Sequence, residues 1–295
     1  IMNRKIFYSK ILLFGEYGII SNSDALSIPF KKFEGSLKIS KSLLKDEILS
    51  NNKLNELYSY LNKSYSFSNI LDLKSLKKDI DSGLYFRSNI PTSSGLGSSG
   101  ALVSSILINY ANTDLNKKDS NEIKKIMSIM ESKFHGKSSG FDPLASFFNK
   151  PIMMSGGNVK LIEDIKFRDF KIYLVDSKIP SSTSDMISIF NQKMNDENFM
   201  NLFNNSFIPI TNKCIHNLIN NSTNFLDSIK SLSKFTNENM NEMIPESVDK
   251  IWKSGLKSND YYMKFCGSGG GGFFLAFDFK NNLKAKLSSF ELIEI

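Results

Sequence analysis

The first third of the chain has the hydrophobic pattern of strands. The segment FYSKILLF, residues 7–14, is a short apolar run, and a second candidate strand lies near residues 25–29. Residues 34–40 alternate between apolar and polar side chains, as a half-buried strand does, and a further strand is predicted around residues 84–89. A helix is predicted over residues 41–62, where leucines stand on a polar background at positions 43, 44, 54, 57 and 61.

Two amphipathic helices are predicted after the glycine-bearing segment PTSSGLGSSG, residues 91–100. In the first helix, apolar pairs recur every four residues from Leu102 onward, which indicates a continuous buried stripe. The second is predicted over residues 120–134, and Asp119 and Glu122 have the spacing of a capping box at its start.

The second half of the chain has a different order of elements. KIYLVDS, residues 171–177, reads as a strand and is followed by broken helical segments over residues 184–258. Residues 261–279 are predicted to form two buried strands joined by a glycine turn, before a short helix and a last strand, FELIEI. This order indicates an α+β domain. With about 150 residues expected per domain, we predict domains at 1–165 and 166–295.

Composition places the chain among folded globular proteins, since 41% of its 295 residues are hydrophobic and 23% are charged. No apolar run approaches the roughly 18 residues that a membrane-spanning helix needs, so no membrane association is expected. The basic and then apolar N-terminal segment lacks a small-residue cleavage site, which argues against a secretory signal. Cys214 and Cys266 are too few for a disulfide framework, and a cytoplasmic location is the default.

The net charge of +7 raises the alternative of a basic protein that binds nucleic acid. Such a protein would carry a clustered basic face. Here the lysines are scattered along the whole chain, and the longest basic runs are pairs such as Lys77-Lys78 and Lys117-Lys118. We therefore expect no nucleic-acid partner.

The segment PTSSGLGSSG lies between a predicted strand and a predicted helix. Its glycines would let the backbone approach a ligand closely, and the N–H groups of a helix start favour an anion. The alternative is a flexible loop with serine caps, and the segment alone leaves both open. A Walker A loop is excluded, because the Gly-Lys-Ser at residues 136–138 has Glu131 in place of the first glycine.

Two further features could carry chemistry. CGSGGGG, residues 266–272, could be a linker, but its apolar flanks favour a buried hairpin whose backbone approaches something closely. We call it the glycine run. Glu131 and Asp142 could be ordinary solvated acids, yet two acids beside a glycine loop are what a magnesium–nucleotide site needs. His and Cys do not occur at zinc-ligand spacing, and no Gly-x-Ser-x-Gly elbow supports a hydrolase.

Three segments in order resemble the GHMP kinase superfamily, named for galactokinase, homoserine kinase, mevalonate kinase and phosphomevalonate kinase. They are KILLFGEYGII, PTSSGLGSSG, which we call the phosphate loop, and KFCGSGGGG. Within the superfamily the chain is most similar to bacterial mevalonate kinases: ESKFHGKSSGFD matches E-x-x-x-H-G-x-x-S-G-x-D, and KIPSST is similar to K-V-P-x-x-T. Gly100, Tyr17 and Ser181 depart from that family, which commonly has Ala, His and Arg there.

The resemblance implies a site and its cofactors, ATP and Mg²⁺. Asp142 would accept or orient the proton of the acceptor hydroxyl, and Lys10 would hold Asp142 and stabilise the transferred phosphoryl group. Ser99 and Glu131 would bind the metal. The residues implied to hold ATP are Pro91, Ser94, Gly95, Leu96, Gly97, Ser98 and Ser99, and those implied to line the acceptor pocket are Glu16, Thr183 and Ser268.

The implied fold has a β-rich N-terminal α+β domain and a ferredoxin-like C-terminal α+β domain, with the site in the cleft between them. The implied reaction is phosphorylation of a small metabolite, most simply mevalonate or a similar hydroxy acid. The alternatives are another acceptor such as phosphomevalonate, or a non-catalytic relative that binds nucleotide. The sequence leaves the oligomeric state open, with a homodimer as one option.

Overall fold

A computed structural model describes residues 5–92, 94–136 and 138–295. The strands in these residues are Phe7–Phe14 (β1), Ala25–Ile39 (β2), Leu84–Ser88 (β3), Ile152–Ser155 (β4), Asn158–Leu161 (β5), Lys171–Asp176 (β6), Tyr261–Phe265 (β7), Phe273–Asp278 (β8) and Glu291–Glu294 (β9). The helices are Lys45–Leu61 (α1), Tyr65–Ile70 (α2), Leu73–Asp81 (α3), Ser98–Tyr110 (α4), Ser120–His135 (α5), Asp142–Phe148 (α6), Thr183–Met194 (α7), Glu197–Leu202 (α8), Ile208–Ile219 (α9), Phe225–Asn239 (α10), Glu246–Ser258 (α11) and Leu283–Lys286 (α12).

Backbone packing divides the chain into two compact units. The first contains the described residues of 5–10, 28–92 and 96–152, and the second contains those of 11–27, 94–95 and 153–295. Strands β1 and β2 each contribute residues to both units. The two units are therefore not separated at a single position in the sequence, and the domain boundary near residue 165 stays a prediction.

The second unit has the predicted ferredoxin-like architecture. Its sheet has the order β7-β8-β6-β9, in which β6 pairs antiparallel with both β8 and β9, and β7 pairs antiparallel with β8. In chain order the unit reads strand, helices, strand, strand, helix, strand, which is the ferredoxin-like arrangement. Here the first crossover is enlarged to the helices α7–α11. The two buried strands predicted around the glycine run are confirmed as β7 and β8.

The other sheet has the order β1-β2-β4-β5, with β3 paired to β2. The prediction of separate strands at 25–29 and 34–40 is wrong, because both belong to the 15-residue strand β2. Lys31 and Lys32 are exposed in its middle, so their charges stay solvated while the backbone remains extended. The strand continues to Ile39, which pairs with Leu84 of β3. The hairpin β4–β5 and the short helices α2 and α3 were not predicted.

The helices of the first unit place the predicted loop and acids. Helix α4 is buried on nearly every side, which is more than the single apolar stripe predicts. The capping box at α5 is confirmed: the Asp119 carboxylate accepts from the Glu122 N–H, and the Glu122 carboxylate accepts from the Asp119 N–H. Among the described residues no helix combines the length and apolar character needed to cross a bilayer.

Candidate active site

The phosphate loop is attached to strand β1 and leads into helix α4. The Lys10 N–H donates to the Leu96 carbonyl at 2.9 Å, and the Leu96 side chain is fully buried. Gly97 then starts the helix with φ +80°, a conformation that L side chains avoid. A Cβ on Gly97 would lie 2.7 Å from Lys10 Cγ. Gly97 thus permits both the turn and the close passage of the Lys10 side chain.

Lys10 and Asp142 form an ion pair, with Nζ 2.8 Å from Oδ2. The Lys10 side chain is only 4% exposed, whereas that of Asp142 is 43% exposed. The lysine is therefore fixed inside the first unit, and the carboxylate that it holds remains open on another side. A lysine within a strand usually faces solvent, and the structure shows instead that this one is buried.

Asp142 is the first residue of α6, and buried contacts fix this helix in place. The Ser146 hydroxyl donates to the Tyr8 carbonyl of β1 at 2.6 Å, and the Ser104 hydroxyl of α4 lies 3.0 Å from the Pro143 carbonyl. A Cβ on Gly100 would lie 3.0 Å from Pro143 Cα. The close packing of α4 on α6 explains why glycine occupies this position, where related kinases commonly have alanine.

Glu131 is 4% exposed and accepts hydrogen bonds from two serines. Ser99 Oγ donates to Oε1 at 3.1 Å, and Ser138 Oγ donates to Oε2 at 2.5 Å. Burial, and secondarily the negative charge of Asp142, raise the pKa of Glu131 to about 7, although the two serine hydrogen bonds and Lys10 act in the opposite direction. The first unit therefore concentrates negative charge beside the phosphate loop.

The donor set of Ser99 and Glu131 suits Mg²⁺, which binds through one or two carboxylates together with the phosphate oxygens of its substrate. A buried carboxylate with a raised pKa is also a group that a cation would stabilise in its charged form. Within the described ranges no three His, Cys, Asp or Glu side chains are grouped to hold a metal by themselves. The residues present therefore fit a metal that arrives with a nucleotide.

In the second unit, the glycine run is held by its main chain. The Gly270 N–H donates to the Met243 carbonyl at 2.7 Å, and the Gly272 N–H donates to the Ile179 carbonyl at 2.8 Å. A Cβ on Gly271 would lie 2.4 Å from the Ile179 oxygen. Such close approach requires glycine and excludes the linker interpretation.

Within the second unit the glycine run also lies against Gly95, since a Cβ on Gly95 would lie 2.9 Å from the Cys266 carbonyl oxygen. Ser181 stands where related kinases frequently have arginine, and its hydroxyl donates to the Gly269 carbonyl at 2.5 Å. In this chain the residue therefore belongs to the support of the glycine run.

The predicted acceptor-pocket residues lie in the second unit. Ser268 Oγ is 3.5 Å from Thr183 Oγ1, so these two hydroxyls are neighbours. Glu16 is buried, and its Oε1 lies 2.6 Å from Lys264 Nζ. Lys264 was not singled out in the sequence analysis. The buried pair connects the segment after β1 to strand β7.

The structure brings together the predicted residues of each unit separately. In the first unit, Lys10 and Asp142 are paired, and Ser99 binds Glu131. Gly97 precedes Ser98, the first residue of α4, and Pro91 is half-buried, whereas the half-buried Ser94 belongs to the second unit. Sequence reasoning missed Ser138 and Lys264. Ser93, Lys137 and the His135 side chain lie outside the described residues.

Comparisons with known proteins identify the first part of the chain. Residues 52–150 match the family model "GHMP kinases N terminal domain", a range that includes the phosphate loop, Glu131 and Asp142. Residues 52–150 are therefore similar to a GHMP kinase N-terminal domain. The resemblance drawn from the sequence motifs is thereby confirmed. A search of curated proteins found no match.

Solved structures confirm the fold of GHMP kinases over the whole chain. Mevalonate kinase from Methanococcus jannaschii is similar with a TM-score of 0.64 and 20% identity, covering 99% of this chain and 97% of the other. Galactokinase from Lactococcus lactis in complex with galactose has the same TM-score at 14% identity, covering 99% and 92%.

Phosphomevalonate kinase from Streptococcus pneumoniae, in complex with phosphomevalonate and AMPPNP, also has a TM-score of 0.64, with 14% identity and full coverage of both chains. These three kinases have different names and equal scores. Their similarity therefore establishes the fold and does not select an acceptor.

Proposed function

We propose that this chain is an ATP-dependent kinase that phosphorylates the hydroxyl group of a small metabolite, with mevalonate as the acceptor. The observation that carries the proposal is the buried Lys10 paired with the half-exposed Asp142 beside the phosphate loop of a GHMP kinase domain. A cytoplasmic location is part of the proposal, and two buried free cysteines fit a reducing compartment.

Each charged side chain of the candidate site has a role in this reaction. Asp142 accepts the proton of the acceptor hydroxyl, because its carboxylate is held by Lys10 on one side and is accessible on another. Lys10 keeps that carboxylate oriented and stabilises negative charge on the transferred phosphoryl group. The phosphate loop and the first turn of α4 hold the ATP phosphates through main-chain N–H groups.

Ser99 and Glu131 would hold Mg²⁺ with the nucleotide, and the metal would supply neutralisation of phosphate charge. Ser138 keeps one oxygen of Glu131 oriented by its hydrogen bond. Most of this chemistry is positioning and charge stabilisation, which fits a site made of fixed side chains and a glycine loop.

The second unit supports an unphosphorylated acceptor. A phosphorylated acceptor requires cationic side chains that are available to a second phosphate. Lys264 is the nearest cation to Glu16, but it is buried and already paired with that carboxylate. The neighbouring Ser268 and Thr183 offer neutral hydroxyls, which suit a hydroxy acid. The mevalonate assignment further rests on the residue 131–142 motif and on KIPSST.

Experiment can distinguish two alternatives from the proposed function. A different acceptor, such as phosphomevalonate, would keep the chemistry of the first unit and change only the residues that bind the acceptor. A non-catalytic relative would bind nucleotide without transfer. The presence of Lys10, Glu131 and Asp142 in paired, buried or half-buried positions favours a working kinase.

The test is acceptor-dependent ADP release by the purified protein with MgATP. The panel contains mevalonate, phosphomevalonate, homoserine and galactose, and each reaction is repeated with EDTA. We expect the highest kcat/KM with mevalonate and no turnover with EDTA. Faster turnover of another acceptor would overturn the substrate and keep the kinase, whereas ATP binding without acceptor-dependent release would favour the non-catalytic alternative.

A further inference from the structure

Tyr17 is a buried residue in an unusual backbone conformation that the proposed mechanism does not use. It follows the end of β1 with φ 61° and ψ −41°, and its residue exposure is 7%. A non-glycine residue at positive φ carries backbone strain and persists where its surroundings hold it in place. Its contacts therefore indicate what keeps it there.

Tyr17 contacts two other segments of the second unit. Its hydroxyl donates to the Ser268 carbonyl at 2.6 Å. Its ring packs on Phe190 of α7, with 4.4 Å between the ring centroids, and lies edge-on to Phe265 of β7 at 6.4 Å. Burial, with a smaller contribution from the charge of Glu16, raises the pKa of Tyr17 well above its ordinary value, so the hydroxyl stays a donor at neutral pH.

These contacts hold both Ser268 and Thr183, whose hydroxyls are neighbours. Ser268 is fixed through its carbonyl, and its own hydroxyl reaches Thr183. Thr183 is the first residue of α7, the helix that carries Phe190. Tyr17 thus holds one partner by a hydrogen bond and the helix of the other by ring packing. The Tyr17 hydroxyl donates its proton to the Ser268 carbonyl and cannot also donate it to an acceptor molecule. Tyr17 therefore affects acceptor binding through Ser268 and Thr183.

We propose that Tyr17 is a positioning residue for the acceptor site, which sets the placement of the Ser268 and Thr183 hydroxyls and thereby the affinity for the acceptor. The inference rests on the proposed function, because that function is what makes Ser268 and Thr183 part of an acceptor site. Its structural part, the fixing of the glycine run by the Tyr17 hydroxyl, is measurable without any substrate.

The experiment compares Tyr17→Phe with Tyr261→Phe. Each variant removes one buried tyrosine hydroxyl that donates to a main-chain carbonyl at 2.6 Å in the second unit, but the Tyr261 bond goes to Ile251 of α11. The two variants are therefore matched in the bond they lose. Hydrogen exchange over residues 266–272 and steady-state kinetics for acceptor and ATP are measured on both.

We expect Tyr17→Phe to raise the acceptor KM about 5- to 10-fold, the effect of losing one buried hydrogen bond, with the ATP KM changed less than about twofold. Exchange over residues 266–272 should accelerate in this variant. In Tyr261→Phe the acceptor KM and the exchange of the glycine run should match the unmodified protein, even though its melting temperature falls.

Unchanged exchange in Tyr17→Phe, or equal effects in both variants, would overturn the positioning role. Accelerated exchange with an unchanged acceptor KM would also overturn it, because the hydroxyls would then not depend on Tyr17. If the unmodified protein turns over no acceptor in the panel, the proposed function fails on its own. The exchange comparison still tests whether Tyr17 fixes the glycine run.

Discussion

The two units each contain a buried lysine paired with a carboxylate, and the two pairs differ in what surrounds the acid. Lys10 and Lys264 have side chains that are both 4% exposed, and the pairing distances are 2.8 Å to Asp142 and 2.6 Å to Glu16. Asp142 is 43% exposed, whereas Glu16 is 7% exposed. The two lysines are equally buried, and the two carboxylates are not.

This difference in exposure distinguishes a catalytic ion pair from a structural one. A half-exposed carboxylate held by a fixed cation can still accept a proton from an arriving hydroxyl group. A fully buried pair has no such access, and Lys264 has a further acceptor in the Phe265 carbonyl and lies over the ring of Phe14. We therefore assign catalysis to the pair of the first unit and structural support to the pair of the second.

The largest expected effect is on turnover, at Asp142. Asp142→Asn keeps the shape of the side chain and removes the base, which costs about 10²–10⁴-fold in rate. The affinity for ATP and the melting temperature should change little, because the phosphate loop is held by other residues. Near-normal turnover with a lowered melting temperature would show instead that Asp142 only stabilises the start of α6.

The buried pair should show the opposite profile. Lys264→Met leaves the Glu16 carboxylate buried without its cation, which we expect to lower the free energy of unfolding by about 3–5 kcal/mol. Adding Glu16→Gln should restore most of that loss, as measured by denaturant unfolding. The matched change Lys10→Met should destabilise far less, because Asp142 is half-exposed to water. Equal losses for the two lysine variants would remove the distinction between the pairs.

Glu131 should give the metal-free protein a pH-dependent stability. Its pKa of about 7 lies above its ordinary value of 4.5, so between these values the folded chain holds a proton that the unfolded chain has released. The free energy of unfolding should therefore fall as the pH rises through this window and level off above it. We expect Glu131→Gln to flatten the change between pH 5 and pH 7.5 in EDTA, and an unchanged slope would assign the effect to other groups.

The smallest expected effect concerns the support of the Asp142 helix. Gly100→Ala introduces a methyl group 3.0 Å from Pro143 Cα, and this close contact destabilises the fold. The higher helix propensity of alanine has the opposite effect. We expect the contact to dominate and the free energy of unfolding to fall by about 1 kcal/mol. A raised melting temperature with unchanged turnover would show that α4 and α6 separate without consequence for Asp142.

Local patterns predicted much of the fold. The apolar strands around the glycine run were predictable because residues on both sides of it are continuously hydrophobic, and α5 was predictable from its capping pair and stripe. Strand β2 was divided in error, since two charged residues in sequence resemble a turn unless the strand partner is known. The hairpin β4–β5 had a signal in the Gly156-Gly157 turn between apolar residues.

The candidate site was harder to predict from local sequence patterns, because the residues that pair within it are distant in sequence. Alternation in β1 is compatible with a solvent-facing Lys10, and the role of this residue came from the resemblance. Lys264 stands among aromatic residues in a strand that is buried throughout, which is a signal for a buried partner. Nothing in the local sequence identifies that partner as Glu16.

The pair of Glu16 and Lys264 has a consequence for how the chain folds as it is made. The two residues are 248 positions apart. At a synthesis rate of about 5–20 residues per second, the segment with Glu16 emerges roughly 12–50 seconds before its lysine. During that interval Phe14, which is fully buried in the finished protein, lacks Phe277 of β8, on which its ring stacks. The segment that follows β1 therefore reaches its final environment only after β7 and β8 have been made, and until then it exposes apolar residues that favour aggregation.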